Sequence, residues 1–247
     1  MAEASDLRGL ADGIAVVWWA RRQDASPRLA GLLDEAERNR WEAYRREADR
    51  DRFLVGCALA KAVIAGHAGR RPQDVHFDRT CRRCGRPHGK PAAGGGLEHS
   101  VTHSGDLVAV AVARSPVGVD VEQADGRDRP LGGAGDPERL GRLVLAEGER
   151  ASLAATDPDG RARAFLVAWT RKEAVTKAAG EGLSMPFKDV VVSPAGQPPR
   201  LVAWPCPQAP QDVSLFDLDA EPGYVAALAV IGRCDTVRAR DGSALLS

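Results

Sequence analysis

The sequence lacks any long run of apolar residues, and this absence excludes a membrane-spanning helix. The longest apolar stretches, 13–20 and 225–231, are far shorter than the roughly 18 residues that a span requires. No basic segment followed by an apolar one opens the chain, so we expect no secretory signal and a cytoplasmic location. Net charge is also lacking, because 34 basic and 34 acidic residues cancel, which argues against a polycation that coats nucleic acid.

Cysteine and lysine are scarce as well. Five cysteines, an odd number in 247 residues, do not make a disulfide framework. The chain has 29 Arg but only 5 Lys, a bias typical of GC-rich coding, so a retained lysine is a mild sign that lysine itself is required. A chain of this length buries roughly 70% of its unfolded surface and folds without disulfides or a structural metal.

The zero net charge is a sum of unlike segments. Residues 67–90 carry seven Arg or Lys against two acidic residues, whereas residues 117–160 carry ten acidic residues against five Arg. The first segment suits an anion and the second a cation, although a solvated face remains the alternative for either one alone.

An internal repeat is predicted, because 53–63 aligns without gaps with 165–175 and both have the apolar spacing of a helix. Each copy continues with an Asp-Val segment, predicted as a strand, and an alternating apolar run: 73–77 and 107–112, then 188–192 and 224–230. We therefore predict an α+β fold of two similar halves, 1–116 and 117–247. The segments 124–141 and 193–211 are predicted loops.

Residues 117–122 alternate between valine and small or acidic residues, as a strand does. The valines are expected on a core face, and Asp120 and Glu122 together on the other face, about 7 Å apart at their Cα atoms. Two carboxylates so placed suit a hard divalent cation. The solvent face of an edge strand is the alternative.

The segment 169–180 places an acid and a base on one side of the second helix. Glu173 lies four residues after Trp169, so it continues an aromatic stripe predicted to face the core, and Lys177 follows one turn later. An exposed Glu–Lys helix pair is the alternative, but it does not account for the stripe. In the gapless repeat alignment Glu173 stands opposite Lys61, so this chemistry occupies one copy only.

Two smaller clusters are also chemically suggestive. His103, followed by Ser104 and Gly105, indicates a side chain and backbone amides offered to an anion, with an ordinary turn as the alternative.

Cys81 and Cys84 with His88 have the spacing of half a zinc site, and His76 is a candidate fourth ligand. Reduced loop cysteines are the favoured interpretation of this cluster.

These motifs together resemble the 4′-phosphopantetheinyl transferase superfamily, in its longer, surfactin-synthetase-activating type. The resemblance is carried by Gly118-Val-Asp-Val-Glu122 and Trp169-x-x-Lys-Glu-x-x-x-Lys-x-x-Gly180. It is extended by 49–56, by His88-Gly-Lys-Pro91 and by Thr102-His-Ser-Gly105. It implies an intramolecular pseudo-dimer of the two halves. It also implies transfer of phosphopantetheine from coenzyme A to a serine of an apo acyl or peptidyl carrier protein, releasing 3′,5′-ADP.

The resemblance also implies roles for particular residues. The metal ligands for Mg²⁺ would be Asp120, Glu122 and Glu173. The catalytic residues would be Glu173, Lys177 and Glu149, the last in an acidic position near the metal. The contacts to coenzyme A would be Arg52 on the 3′-phosphate and Lys90, His103, Ser104, Lys172 and Lys177 around the other phosphates, with Arg38 and Arg40 as looser matches. The proton acceptor for the serine stays open among Glu173, Glu149 and a metal-bound water.

We therefore predict a monomeric Mg²⁺-dependent transferase that acts on coenzyme A and an acidic carrier protein, without nucleic acid or membrane as partners. Two other functions stay open. One is a metal-dependent phosphohydrolase of a similar pyrophosphate, and the other is a non-catalytic, zinc-bearing adaptor that uses the Cys81–His88 region.

Overall fold

The computed structural model describes residues 9–81, 84–124, 137–180, 185–205 and 212–247. The strands are β1 (Ile14–Arg21), β2 (Asp78–Thr80), β3 (Pro87–Ala92), β4 (Glu98–Ser104), β5 (Leu107–Ala113), β6 (Val117–Gln123), β7 (Val191–Val192), β8 (Leu201–Ala203), β9 (Val213–Leu218), β10 (Tyr224–Ile231) and β11 (Thr236–Asp241). The helices are α1 (Glu35–Ala43), α2 (Glu47–Ala68), α3 (Pro137–Val144), α4 (Glu147–Ala154) and α5 (Pro158–Ala179). This mixture confirms the predicted α+β class.

The chain divides into two compact units, one made of Met1–Ser115 with Cys234–Ser247 and the other of Pro116–Arg233. The segment 234–247 therefore lies with the first unit, although the sequence analysis assigned it to the second half. Its strand β11 pairs in parallel with β1, from Ile14 opposite Thr236 to Trp19 opposite Asp241. No signal in the local sequence marks this pairing, because it depends on a partner more than 200 residues away.

The first unit packs α2 against a four-stranded sheet of order β11-β1-β5-β4, with a β2–β3 ribbon beside it. The stretch from Phe53 to Ala65 in α2 is buried throughout, and its apolar side chains form one core with the alternate valines Val108, Val110 and Val112 of β5. The helix ends at Gly69, which adopts a positive φ of 63°. A glycine tolerates that left-handed cap conformation without a steric penalty.

His99 of β4 gives the first unit a predicted sensitivity to acid. The ring is 1% exposed and lies 4.6 Å from the Phe77 ring between centroids. Burial, with smaller contributions from Lys90 and Arg79, lowers the pKa of His99 from 6.5 to about 3. The unfolded chain therefore binds a proton that the folded chain does not, and stability should fall as the pH drops from 6.5 toward 3, by about 1.4 kcal/mol per pH unit.

Denaturant unfolding of the wild type and of His99→Gln across this pH range measures the effect. We expect the variant to lose that part of the slope. An equally steep slope in both proteins would show that another group causes the acid sensitivity.

The second unit packs α5 against a three-stranded antiparallel sheet of order β6-β10-β9. Phe165, Leu166, Ala174 and Val175 of the helix form its core with apolar residues of β9 and β10. The helix ends at Gly180, again at positive φ, 77°. Among the described residues, no helix is long and apolar enough to span a membrane.

A buried arginine holds the Pro-rich segment that follows α5. Arg171 is 0% exposed, and its guanidinium donates to the carbonyl oxygens of Ser193, Pro194 and Gln197 and to the carboxylate of Asp217. These contacts fix the turn between β7 and β8 against the helix. The sequence analysis predicted 193–211 as a loop, but the structure has a strand within it, β8. Residues 206–211 lie outside the described residues.

Two other local predictions differ from the structure. The segment 73–77 is a 3₁₀ turn at Pro72–Asp74 followed by extended chain, and the strand begins only at Asp78. The second Asp-Val segment also begins with a 3₁₀ turn, Phe187–Asp189. The predicted loop 124–141 contains the start of α3 at Pro137, and 125–136 lie outside the described residues.

Candidate functional site

Gly118 allows strand β6 to lie directly against helix α5. A Cβ atom on Gly118 would lie 2.0 Å from the carbonyl oxygen of Ala174 and 2.4 Å from the amide nitrogen of Ala178. Real Cβ atoms essentially never approach other atoms this closely. Only glycine therefore permits this contact, which brings the two most informative sequence motifs together.

Two residues farther along β6, Asp120 meets Lys177 of the helix. The Lys177 Nζ lies 2.6 Å from Asp120 Oδ1 and also donates to the carbonyl oxygen of Val119 at 3.2 Å. The Asp120 side chain is 6% exposed, whereas that of Lys177 is 28% exposed. The pair therefore lies at the edge of the core, where its field is less screened than that of a surface pair.

The other two candidate carboxylates act on the same ammonium. Burial alone would lower the pKa of Lys177, but the negative charges of Asp120, Glu173 and Glu122 outweigh it, so the pKa is raised. Burial raises the pKa of Glu173 to about 7, with Lys177 opposing and Asp120 adding to the shift. One ammonium thus faces an excess of negative charge.

The donor chemistry of this acidic region fits Mg²⁺, which prefers carboxylate oxygen and would neutralise that excess. Among the residues that the structure describes, no three His, Cys, Asp or Glu side chains are close enough to form a ready metal cage. The cation beside Asp120 is the Lys177 ammonium. Asp120, Glu122 and Glu173 thus remain candidate ligands for Mg²⁺ by their chemistry and their shared electrostatic field.

Both faces of β6 are covered in the structure. Val117, Val119 and Val121 are buried, but so is Asp120 on the opposite face. The Gly118 and Asp120 side of the strand is the one that packs on α5. Alternation correctly predicted which residues share a face, but it did not reveal that both faces would be covered.

Glu149 and Lys172 form a buried ion pair and contact the backbone with their remaining polar atoms. The Lys172 Nζ lies 2.6 Å from Glu149 Oε2 and donates to the carbonyl oxygens of Val144 and Phe187, both at 2.9 Å. Glu149 accepts from the amides of Ala146 at 2.7 Å and Val192 at 2.9 Å. The Lys172 side chain is 0% exposed and the Glu149 side chain is 4% exposed. All three ammonium donors are therefore used within the protein.

In the first unit, Arg52 lies beside the His103–Gly105 turn. Its guanidinium donates to the Gly105 carbonyl oxygen at 2.7 Å and pairs with Asp49. Gly105 has a positive φ of 55° in the tight β4–β5 turn, and His103 is exposed while Ser104 is half-buried. The structure thus brings Arg52 together with the predicted anion-binding turn.

The remaining basic candidates lie elsewhere in this unit. Lys90 Nζ lies 2.9 Å from Glu98 Oε2, at the start of β4, about 20 Å along the strand from Ser104. Arg38 donates to the Ala30 carbonyl oxygen at 2.8 Å, and Arg40 lies over the Phe53 ring, 5.2 Å from its centroid. The Arg38 contact holds the α1 region to the chain before it, and neither arginine adjoins the turn through these contacts.

The cysteine cluster shows no zinc site in the part of the chain that the structure describes. Cys81 is half-buried and Cys84 is exposed, and neither is in a disulfide. His76 is exposed, and the side chain of His88 lies outside the described residues.

Sequence reasoning did not identify Gly118 as the contact point or Arg171 as an anchor. A signal for the first exists, because Ala174 and Ala178 are small residues one helical turn apart, as a close backbone approach requires. No comparable signal exists for Arg171, whose partners lie 22 to 46 residues away.

Comparisons with known proteins agree on one class of enzyme. Residues 116–229 match the sequence family ACPS, described as the 4′-phosphopantetheinyl transferase superfamily. The 4′-phosphopantetheinyl transferase HetI of Nostoc sp. is 29% identical over 210 residues, 83% of this chain and 81% of that protein. The 4′-phosphopantetheinyl transferase Sfp of Bacillus subtilis is 23% identical over 208 residues, 83% of this chain and 85% of that protein. AcpT of Salmonella typhimurium, another such transferase, is 37% identical over 95 residues, 37% of this chain and 46% of that protein.

Proposed function

We propose a division of catalytic work among the residues of this chain, which belongs to the 4′-phosphopantetheinyl transferase superfamily. The chain is a 4′-phosphopantetheinyl transferase that transfers the phosphopantetheine group of coenzyme A to a serine of a carrier protein. The observation that supports the division best is the contact of Asp120 with Lys177, because it joins both sequence motifs within the matched region 116–229.

The acidic face of β6 and its helix partner would hold Mg²⁺. Asp120, Glu122 and Glu173 are the proposed ligands, and the ion supplies charge neutralisation of the pyrophosphate when bound. Burial of Asp120 strengthens the field of the carboxylates, because fewer water dipoles screen it. Gly118 keeps the strand and helix at the distance that this arrangement requires.

Lys177 is the proposed contact for the departing phosphate. Its ammonium is partly exposed, and the surrounding carboxylates keep it protonated because they raise its pKa. A fixed positive charge near the leaving oxygen stabilises the charge that develops there during phosphoryl transfer. His103 and Ser104 are proposed contacts to the other phosphates. Lys90 pairs with Glu98 about 20 Å along β4 from Ser104, so we do not assign it to the same phosphates.

Of the proton acceptors considered for the serine, Glu149 is the least suitable. Both of its oxygens accept hydrogen bonds from buried partners inside the protein. Glu173 and a water remain the proposed alternatives, and Glu173 has a pKa of about 7, near that of an effective general base.

Arg52 is the proposed contact for the 3′-phosphate of coenzyme A. Replacing it with alanine should raise KM for coenzyme A about tenfold or more, because a charge-assisted contact is lost, and should leave KM for dephospho-coenzyme A nearly unchanged. Steady-state kinetics with both substrates measure the ratio, and Arg71→Ala, at an exposed arginine of the same unit, is the control. A similar rise for both substrates would refute the 3′-phosphate role, since it would arise from disorder of the Gly105 turn.

Mass spectrometry of an apo carrier protein incubated with coenzyme A, Mg²⁺ and this chain tests the function directly. A gain of one phosphopantetheine group on a serine is the expected result. Breakdown of coenzyme A without modification of several carrier proteins would favour the phosphohydrolase. We further propose that the carrier protein has an acidic surface, that this chain is monomeric and that it acts in the cytoplasm.

A further inference from the structure

The buried pair Glu149–Lys172 has a counterpart in the first unit. Lys61 Nζ lies 2.9 Å from Glu37 Oε2 and donates to the carbonyl oxygen of Val75 at 2.9 Å. The side chains of Lys61 and Glu37 are 0% and 4% exposed, as are those of Lys172 and Glu149. In the part of the chain that the structure describes, each unit therefore has a buried Glu–Lys ion pair.

The glutamates of the two pairs occupy the same position in equivalent helices. Glu37 is the third residue of α1, and its side chain accepts from the amide of Asp34 at 3.1 Å. Glu149 is the third residue of α4, and its side chain accepts from the amide of Ala146 at 2.7 Å. In both helices the carboxylate caps its own N-terminus and also reaches a lysine on the following long helix.

The lysines are equivalent by the same criterion. The long helices α2 and α5 each span 22 residues, and each ends at a glycine with positive φ. Lys61 and Lys172 both lie 14 residues after the first residue of their helix. Lys61 thus corresponds to Lys172, so the gapless sequence alignment, which placed Lys61 opposite Glu173, is wrong by one residue.

The corrected register separates two kinds of residue in the second unit. Glu173 and Lys177 correspond to Ala62 and Gly66 of the first unit, so their charges occur in one copy only. Glu149 and Lys172 correspond to Glu37 and Lys61, so their charges occur in both. A pair that is repeated without the surrounding acidic residues does not depend on those residues for its role.

We propose that Glu149 and Lys172 are positioning residues that act through α5, and that neither contacts the phosphates or the serine. The pair joins the start of α4, the carbonyl of Val144, the turn at Phe187 and strand β7 to one point of the helix. Glu173 follows Lys172 directly and Lys177 lies five residues on. By anchoring Lys172, the pair therefore fixes where α5 places both residues along its axis. This inference rests on the proposed function.

The experiment compares Lys172→Met, Glu149→Gln and the double variant in kcat, KM for coenzyme A and denaturant midpoint. Each single variant leaves a buried partner uncompensated, so its midpoint should fall. At temperatures where the protein stays folded, kcat should fall about tenfold or more while KM changes less than about threefold. The double variant removes both charges, so it should recover much of the midpoint, whereas kcat should stay low because the pair no longer holds α5. Glu37→Gln with Lys61→Met, made in the same way, is the matched control for the midpoints.

Other outcomes overturn the proposal. If every variant without Lys172 shows a KM raised about a hundredfold, and the double variant is no better, Lys172 is a phosphate ligand. If every variant without Glu149 loses kcat together with one limb of its pH profile, Glu149 is a proton acceptor.

One additional variant and the denaturant midpoints decide two further cases. If the methionine variants do not fold, Lys172→Arg decides, because it keeps the charge. A lowered kcat at normal KM supports positioning, whereas near-normal kcat and KM contradict it, since the larger group cannot reproduce three short contacts in a buried site. If the wild type transfers nothing, the proposed function fails, while the midpoints alone still report whether the two charges are coupled.

Discussion

Replacing Glu173 with glutamine should lower the rate of phosphopantetheine transfer about a thousandfold, equivalent to about 4 kcal/mol of activation free energy. The change preserves the size of the side chain but removes one of the three carboxylate charges around Lys177. Mg²⁺ would then lose a charged ligand, and the developing charge on the phosphates would be less well neutralised. Modification of an apo carrier protein over time, followed by mass spectrometry, measures the rate.

The stability of this variant distinguishes a lost catalytic charge from a damaged fold. Burial raises the pKa of Glu173 to about 7 from 4.5, so the ionised carboxylate is less favourable in the folded chain than in the unfolded chain. Above pH 7 the glutamine variant should therefore unfold at the same or a higher denaturant concentration. Glu147→Gln, at an exposed position in the same unit, should retain activity within about twofold. Normal transfer by Glu173→Gln would refute the role of Glu173.

Replacing Gly118 with alanine should destabilise the second unit by about 3 kcal/mol or more and abolish most of the transfer activity. The added methyl group would overlap the backbone at Ala174 and Ala178, and backbone inside a packed helix cannot rotate away as a side chain can. Strand β6 would have to move from α5, which would separate Asp120 from Lys177. Denaturant unfolding and the transfer assay measure the two effects.

Gly148→Ala is the matched control for this prediction. It is the same substitution in the same unit, at a helical position where an added Cβ meets nothing within 4 Å. Its stability should change by less than about 1 kcal/mol. If Gly118→Ala were as stable and active as this control, the close approach of β6 and α5 would not determine the geometry of the acidic region.

Sequence reasoning was most reliable where the signal is local. The helical spacing of Phe165, Trp169 and Glu173 predicted α5, and the alternation of 117–122 predicted β6. It was less reliable where a short motif is compatible with two kinds of local structure. At 73–77 a strand was predicted, but the Asp-Val segment begins with a 3₁₀ turn. It was off by one residue in the repeat, because similar apolar residues align in more than one register while buried charges do not.

The sequence alone was enough to select the candidate charged groups of the site: the carboxylates of 120, 122 and 173, the lysine at 177, and the arginine at 52. The tertiary structure decided how each charge is used. Lys172 and Lys177 lie five residues apart on one helix, yet the first is enclosed by Glu149 and two carbonyl groups, while the second is partly exposed beside Asp120. Those partners come from distant segments of the chain, so the desolvation and pairing that distinguish the buried Lys172 from the partly exposed Lys177 are properties of packing, not of local sequence.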